Sequence, residues 1–219
     1  MTEKTVSYTH TNTYSTLNTY TPKTKNVWLV CHGMGYLSKY FIKYFKGLNP
    51  EENYIIAPQA PSKYYQDKQF KYVGASWLTK ENTALEKENV LRYMDTVWAA
   101  ESSQWKAQDI NLILMGYSQG VSIITRWASS RKIDCKQFLL HSGAIPSELT
   151  PQDFVYLSPT TKVTYLYGDK DPYINEARKT EQQLKGTALF GKRLEVEVFD
   201  GVHEVNENYI SMLSTQFIQ

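Results

Sequence analysis

The sequence contains very little cysteine, with only Cys31 and Cys135 among 219 residues. So few cysteines exclude a disulfide framework and indicate a reducing compartment, for which the cytoplasm is the default. Cys31 lies in an apolar segment and is predicted to be a buried, small hydrophobic residue. Cys135 has no cysteine or histidine neighbour at metal-ligand spacing. We therefore expect no metal site and no cofactor.

The sequence also lacks an excess of charge and lacks long apolar runs. The formal net charge is +2 and 21% of the residues are charged, so no strong field favours nucleic acid or an anionic membrane as a partner. The first residues, Met1 to Lys4, are polar and do not lead into an apolar signal region. The longest apolar runs have the length of strands, which argues against integral membrane association. Without a linker or repeat, residues 1–219 are predicted to form one domain.

Apolar segments of strand length alternate with segments of helical periodicity along most of the chain. This alternation predicts an α/β fold, with a mostly parallel sheet covered by helices on both faces. The Thr- and Tyr-rich residues 5–20 alternate as two antiparallel N-terminal edge strands would, with a turn near Thr11 and Asn12. Further strands are predicted at 27–31, 54–57, 110–115, 137–141, 162–167 and 193–199, and helices at 38–46, from 83 onward, 121–130, 173–185 and 205–217.

Local signals add detail to three of these helices. Thr83 with Glu86 three residues later is a capping-box pattern at the start of the long helix. In the helix at 173–185 we expect Leu184 to face inward and Gly186 to end the helix. In the closing helix, Met212 is placed on the inward face.

The pentapeptide G-Y-S-Q-G, residues 116–120, follows an apolar strand and precedes a helix. A strand, G-x-S-x-G and a helix in this order are typical of a nucleophile elbow, a tight turn that pushes a serine hydroxyl outward. Gly116 and Gly120 fit because a Cβ at either position would collide with neighbouring backbone. In a parallel sheet, active groups collect at the carboxyl ends of the strands, where Ser118 lies.

A serine hydroxyl needs a neighbouring base to take its proton, and the chain has four histidines. His203 lies in a loop after the last strand, and this loop can carry its ring to Ser118. We therefore predict that His203 is the base. His10 is predicted to be a surface residue and His32 to hold a loop by hydrogen bonds. His141 ends a strand and could line the site.

The imidazole in turn needs an acceptor that fixes its tautomer. Asp169 and Asp171 both follow the strand that ends near residue 167, and Asp171 is preferred because its longer loop lets it reach back over the sheet. Asp169 is expected to face solvent or to cap the turn. Two backbone N–H groups could stabilise an oxyanion: that of Gln119 at the start of a helix, and that of Met34 between two glycines.

Several short motifs occur in an order that resembles a known family. They are H-G-M-G at 32–35, A-P-x-A-P at 57–61, a tryptophan in the following loop, G-Y-S-Q-G at 116–120, S-G at 142–143, G-x-x-D at 168–171 and G-x-H-E at 201–204. This set resembles the phospholipase/carboxylesterase family of α/β-hydrolases, which includes the acyl-protein thioesterases and small bacterial carboxylesterases. The likeness runs from about residue 27 to the C-terminus.

The resemblance implies the α/β-hydrolase fold and a role for each matching residue. It makes Ser118 the nucleophile, Asp171 and His203 its partners, and the N–H groups of Met34 and Gln119 the oxyanion donors. The chain order Ser, Asp, His is the order of the α/β-hydrolases. A serine esterase or thioesterase is the function that follows.

The chain departs from the family beside this site. Tyr36 and Leu37 follow H-G-M-G, where the family has a small or acidic residue, and Val202 replaces a glycine. Residues 59–82 form a long stretch without clear periodicity, rich in aromatic residues, and a role as a lid stays open. An acyl chain is expected to lie among Met34, Tyr36, Leu37, Trp77 and Ile145, although each of these side chains fits core packing equally well.

Two alternatives accompany the esterase hypothesis. A peptidase or lactone hydrolase would use the same three residues, and a binding protein would keep the fold without turnover. As partners we expect a small-molecule ester or acyl substrate and no nucleic acid, and we leave a homodimer open.

Overall fold

A mixed sheet forms the centre of the molecule. The strands are β1 Tyr14–Leu17, β2 Asn26–Cys31, β3 Asn53–Pro58, β4 Ser62–Tyr65, β5 Val73–Ser76, β6 Asn111–Tyr117, β7 Gln137–His141, β8 Lys162–Gly168 and β9 Leu194–Phe199. In this computed structural model, which describes residues 1–105 and 108–217, seven strands form one sheet in the order β1-β3-β2-β6-β7-β8-β9. β1 is antiparallel to β3, and the remaining neighbours in this sheet are parallel.

Helices cover both faces of the sheet. They are α1 Ser38–Phe41, α2 Thr83–Ser102, α3 Gln119–Arg131, α4 Glu176–Phe190 and α5 Glu207–Gln216, with 3₁₀ turns at Ile42–Phe45, Pro151–Phe154 and Gly191–Arg193. One hydrophobic core lies between the sheet and α2, α3 and α4. A second core lies on the opposite face, under α1, the turn that follows it and α5. The predicted α/β fold is therefore confirmed. In the described parts of the chain, no helix is both long enough and apolar enough to cross a membrane.

The central strands are largely apolar because both of their faces are covered. All six residues of β2 are buried. Val27 and Leu29 belong to the core under α2 and α3, whereas Trp28 and Val30 belong to the core under α1 and α5. This is the pattern expected for a parallel strand in the middle of a doubly covered sheet.

The N-terminal segment contributes one of the two predicted edge strands. β1 pairs along β3 from Tyr14 to Leu17, and no strand is assigned before Tyr14 in the described chain. The residues before Thr11 are exposed, so the alternation of Thr and Tyr there has no sheet face against which to pack. The prediction of a second strand was wrong for this reason.

Three details of the helices also differ from the predictions. α4 continues through Gly186 to Phe190. A Cβ at Gly186 would lie 3.0 Å from Leu194, so the glycine gives room for this side chain and does not end the helix. Leu184 is 68% exposed and Met212 is 52% exposed, so neither faces the core. At the start of α2, the residue before Thr83 has a φ of 46° and makes no side-chain cap, so the capping box does not form.

The stretch at 59–82 contains an antiparallel hairpin that the sequence did not indicate. β4 and β5 pair with each other and stand apart from the main sheet. Gly35 donates its backbone N–H to Ala75 of β5 at 2.9 Å, and its carbonyl oxygen accepts from the Gln66 amide at 2.9 Å. The hairpin is thereby fixed to the loop that follows β2.

Candidate active site

Ser118 stands at the turn between β6 and α3. Its φ of 52° and ψ of −119° lie in a region that residues other than glycine rarely adopt. Its N–H donates to the carbonyl oxygen of His141 at 2.8 Å, which helps to hold the turn. Such backbone strain costs about 1–3 kcal/mol and is found mostly at functional sites. The tight turn that the G-x-S-x-G pattern predicts is thus present, with a strained backbone at Ser118.

The glycines on either side of Ser118 are required by close packing. A Cβ on Gly120 would lie 2.0 Å from the carbonyl oxygen of Cys31 at the end of β2. A Cβ on Gly116 would lie 2.5 Å from the Cα of Val121. These distances are shorter than any non-bonded contact, so the turn can sit this close to β2 and α3 only with glycine at both positions.

The structure brings Ser118, His203 and Asp171 into one hydrogen-bonded chain. The His203 Nε2 atom lies 3.0 Å from the Ser118 Oγ atom, and the His203 Nδ1 atom lies 2.7 Å from Oδ2 of Asp171. The Asp171 side chain has no exposed surface, and that of His203 is 18% exposed. The second carboxylate oxygen of Asp171 accepts the backbone N–H of Tyr173 at 2.8 Å. Both oxygens are thus engaged, and the imidazole is oriented by the carboxylate.

The alternative acid does not reach the imidazole. Asp169 accepts the backbone N–H of Gly201 through Oδ1 at 3.0 Å. Asp169 is exposed, as expected, and its bond to Gly201 joins its turn to the loop that carries His203.

The other histidines have different roles from His203. His10 is exposed in the N-terminal segment. The His32 Nδ1–H donates to the Gly33 carbonyl oxygen at 2.8 Å and its Nε2 accepts the Ala60 N–H at 3.1 Å, which fits the predicted loop-holding role. His141 is fully buried behind Ser118. Burial lowers the pKa of His32 to about 4 and that of His141 to about 3, so both imidazoles are neutral near pH 7.

The two proposed oxyanion donors lie on segments that approach Ser118 from either side. Gln119 is the first residue of α3, so its backbone N–H has no acceptor within that helix. The loop with Met34 packs against the nucleophile, since a Cβ on Gly33 would lie 3.0 Å from the Ser118 Cβ. The Met34 side chain itself is largely exposed.

The Gln119 side chain has a role that the sequence did not indicate. Its Oε1 accepts the Trp77 backbone N–H at 2.8 Å, and its Nε2 donates to the Leu78 carbonyl oxygen at 2.7 Å. The Trp77 indole N–H in turn donates to the His32 carbonyl oxygen at 2.8 Å. The start of α3, the segment after β5 and the loop after β2 are therefore linked. Contacts between residues about 40 positions apart leave no local signal from which this link could be predicted.

The side chains expected to contact an acyl chain are mostly in the core. Trp77 has no exposed surface, Ile145 is almost completely buried, and Leu37 is buried as well. Tyr36 is half-buried, and its hydroxyl group hydrogen-bonds to that of Tyr44 at 2.9 Å. Core packing leaves Trp77 and Ile145 almost no exposed surface in this structure, and their contact with an acyl chain stays a prediction.

A cavity of about 710 Å³ lies away from these residues, between the N-terminal segment and α2. Tyr8, His10 and Tyr93 are among the residues that line it, and Ser118 is not. This cavity and the candidate chemistry therefore lie in different places. The strained serine and its hydrogen-bonded partners are the more specific indication of an active site.

A mostly parallel sheet with helices on both faces and a strained serine between β6 and α3 defines the chain as an α/β-hydrolase. The chain belongs to the phospholipase/carboxylesterase family, whose profile matches residues 12–219. This membership places it, at the level of the family, among the ester hydrolases. The resemblance seen in the sequence motifs is confirmed.

Solved structures of similar proteins agree with this fold. The phospholipase/carboxylesterase of Dyadobacter fermentans DSM 18053 has a TM-score of 0.67 at 19% identity, covering 97% of this chain and 99% of that one. Acyl-protein thioesterase 2 of Zea mays has a TM-score of 0.67 at 15% identity, with coverage of 94% and 97%. The carboxylesterase of Bacillus cereus has a TM-score of 0.63 at 15% identity, with coverage of 94% and 93%. At these identities the likeness concerns the fold. No curated protein matches the chain.

Proposed function

We propose that the chain is a serine hydrolase that cleaves carboxylic ester or thioester bonds of a small-molecule substrate. The observation that carries this proposal is the hydrogen-bonded chain from the Ser118 hydroxyl through the His203 imidazole to the buried Asp171 carboxylate. We further propose that residues 1–219 act as one α/β-hydrolase domain and that the protein works in the cytoplasm. Oligomeric state, including a homodimer, is left to measurement.

The first half of the reaction forms an acyl-enzyme. The Ser118 Oγ attacks the carbonyl carbon while the His203 Nε2 takes the hydroxyl proton. The carbonyl oxygen becomes an oxyanion that the N–H groups of Met34 and Gln119 stabilise, each by about 3–4 kcal/mol. The C–O or C–S bond then breaks, and the imidazolium gives its proton to the leaving alcohol or thiol.

The second half of the reaction releases the acid. A water molecule gives a proton to the neutral His203 as its oxygen attacks the acyl carbon. The bond from that carbon to the Ser118 Oγ then breaks, and the proton returns to the serine. Throughout, the Asp171 carboxylate keeps the Nδ1 proton of His203 in place and stabilises the imidazolium.

A series of p-nitrophenyl esters of increasing acyl length, assayed beside a thioester, tests this function. We expect wild type to hydrolyse the esters and to label with a fluorophosphonate probe, and we expect Ser118→Ala to lose both properties. Ser129→Ala is a matched control, since its hydroxyl group donates to the Arg126 carbonyl oxygen within α3. It should keep wild-type turnover and labelling.

Three other outcomes would redirect the proposal. Faster turnover of peptide anilides or of lactones than of any ester would indicate one of the alternative hydrolases with the same three residues. If the fluorophosphonate probe labels wild type no better than Ser118→Ala, the enzyme hypothesis is refuted, and a binding protein without turnover is the remaining alternative. The chain-length series also measures the acyl preference, which the buried positions of Trp77 and Ile145 do not define.

A further inference from the structure

Two buried aromatic side chains lie beside the candidate site, at the ends of neighbouring strands. Tyr117 is the last residue of β6 and His141 the last residue of β7, and the two are partners in the strand register. Their ring centroids are 5.2 Å apart with the planes nearly perpendicular. Both side chains are buried. Neither has a role in the proposed bond-breaking steps.

His141 is connected both to the nucleophile and to the loop of the base. Its carbonyl oxygen accepts the Ser118 N–H at 2.8 Å. Its Nε2 atom accepts the backbone N–H of Asn206 at 3.0 Å. Because a backbone N–H can only donate, this Nε2 must be unprotonated, and the proton is on Nδ1, from which it is donated to the Ser142 Oγ at 3.0 Å. His141 thus joins the turn of Ser118 to the position three residues after His203.

Tyr117 makes the second connection to the same loop. Its hydroxyl group donates to the carbonyl oxygen of His203 at 2.9 Å. Its ring centroid is 5.3 Å from that of His203, with the planes tilted by 35°. The His203 backbone is therefore held from below by a residue directly adjacent to the nucleophile in the chain.

We propose that Tyr117 and His141 are a positioning pair that holds the His203 loop at the distance from Ser118 that proton transfer requires. The proposal rests on the proposed hydrolase function. Burial of His141 supports it, because an imidazole with a pKa of about 3 stays a neutral acceptor for Asn206 throughout the neutral range. Asp171 orients the His203 ring, and the positioning pair fixes the backbone from which that ring projects.

Three variants separate this role from simple structural support. His141→Leu removes the acceptor for Asn206, His141→Gln offers an amide oxygen at a similar reach, and Tyr117→Phe removes only the hydroxyl donor. We expect His141→Leu to lower kcat about 10–100-fold and Tyr117→Phe about 10-fold, with KM changed less than about twofold, because small misplacements of reacting groups slow the chemistry by such factors. We expect His141→Gln to regain a kcat within about threefold of wild type.

A matched control comes from the same strand. Leu139 lies two residues before His141 in β7, is fully buried, and packs in the core under α1 and α5. Leu139→Ala should lower the urea midpoint as much as His141→Leu does, while its kcat at 25 °C stays at the wild-type value. Each variant is first shown to be folded at the assay temperature by urea titration, so that loss of stability is not read as loss of rate.

The outcomes are distinct from those that test the hydrolase function. If wild type is active, Ser118→Ala is inactive, and folded His141→Leu and Tyr117→Phe keep the wild-type kcat, the positioning role is refuted and the hydrolase stands. If His141→Leu does not fold, Tyr117→Phe decides: an unchanged kcat in that variant refutes the role, and a loss of about 10-fold supports it. If wild type hydrolyses no ester or thioester, both proposals fail together.

Discussion

The Asp171→Asn substitution changes one atom at the end of the hydrogen-bonded chain. In wild type, Oδ1 of Asp171 accepts a backbone N–H from Tyr173 and Oδ2 faces the His203 Nδ1 atom. The backbone N–H can only donate, so an asparagine must turn its oxygen toward Tyr173. Its NH₂ group then faces His203, whose Nδ1 atom must become an acceptor. The remaining ring proton moves to Nε2, where it blocks removal of the Ser118 proton.

The size of the effect follows from two terms. Reversing the amide would restore the productive tautomer, but it leaves two donors facing each other, which costs about 1–3 kcal/mol. The second term is the lost attraction between carboxylate and imidazolium in the transition state, about 4 kcal/mol for charges about 4 Å apart at an effective dielectric constant of about 20. Together they give at least about 5 kcal/mol, so we expect kcat to fall by roughly 10⁴-fold.

Steady-state kinetics with the best p-nitrophenyl ester, at a pH where wild type is fully active, measure this effect. Asp169→Asn is the matched control, because its amide oxygen can still accept the Gly201 N–H that the carboxylate accepts now. We expect its kcat to stay within about threefold of wild type. A folded Asp171→Asn variant whose kcat falls less than tenfold would refute the tautomer argument. An equal fall in kcat for Asp171→Asn and Asp169→Asn would indicate that the effect comes from a disturbed loop and not from the tautomer.

Two further predictions concern stability. Burial lowers the pKa of His32 to about 4 and that of His141 to about 3 in the folded chain. In the unfolded chain the pKa of a histidine is about 6.5. Between about pH 6.5 and 4 the unfolded chain therefore binds more protons than the folded chain, so the free energy of unfolding should fall on acidification by up to about 1.4 kcal/mol per pH unit for each histidine. Urea titrations of His141→Gln at several pH values should show about half of the wild-type slope, and an unchanged slope would contradict this prediction. Gly120→Ala places a Cβ 2.0 Å from the Cys31 carbonyl oxygen and should lower the free energy of unfolding by about 3 kcal/mol or more. As a control, the Cβ of Gly47→Ala meets nothing within 4 Å and should change that free energy by less than about 0.5 kcal/mol. Equal urea midpoints for the two variants would refute the packing argument.

The predictable parts of the fold are those in which burial determines the pattern of apolar and polar residues within a short stretch of sequence. After an initial asparagine, Asn26 and Asn111 respectively, β2 and β6 consist almost entirely of apolar residues, because both faces of each strand are covered. The hairpin of β4 and β5 was not predictable, because all four residues of β4 are exposed and no alternation results. The role of Gly186 depends on Leu194, a neighbour from the following strand. From its sequence neighbours alone, such a glycine is predicted to end the helix.

The candidate site follows the same division. Ser118 was predictable because the elbow is a local turn whose steric needs appear as neighbouring glycines. Asp171 and His203 were predictable because parallel strands end at one edge of a sheet, where the loops that carry the two residues meet. The link from the Gln119 side chain to Trp77 was not predictable, since it joins two loops that only the complete fold brings together.

The outer strand β9 carries a consequence for association between copies of the chain. It pairs with β8 on one side only in the described chain, so its other edge presents unpaired backbone groups. Glu195 and Glu197 project from this edge strand and are exposed. A second copy that added its own β9 would bring carboxylates close together and repel the first. Changing both residues to valine would leave a continuous apolar segment from Leu194 to Phe199, a composition that favours fibrillar aggregation. The two glutamates thus oppose pairing of β9 with the β9 of a second copy.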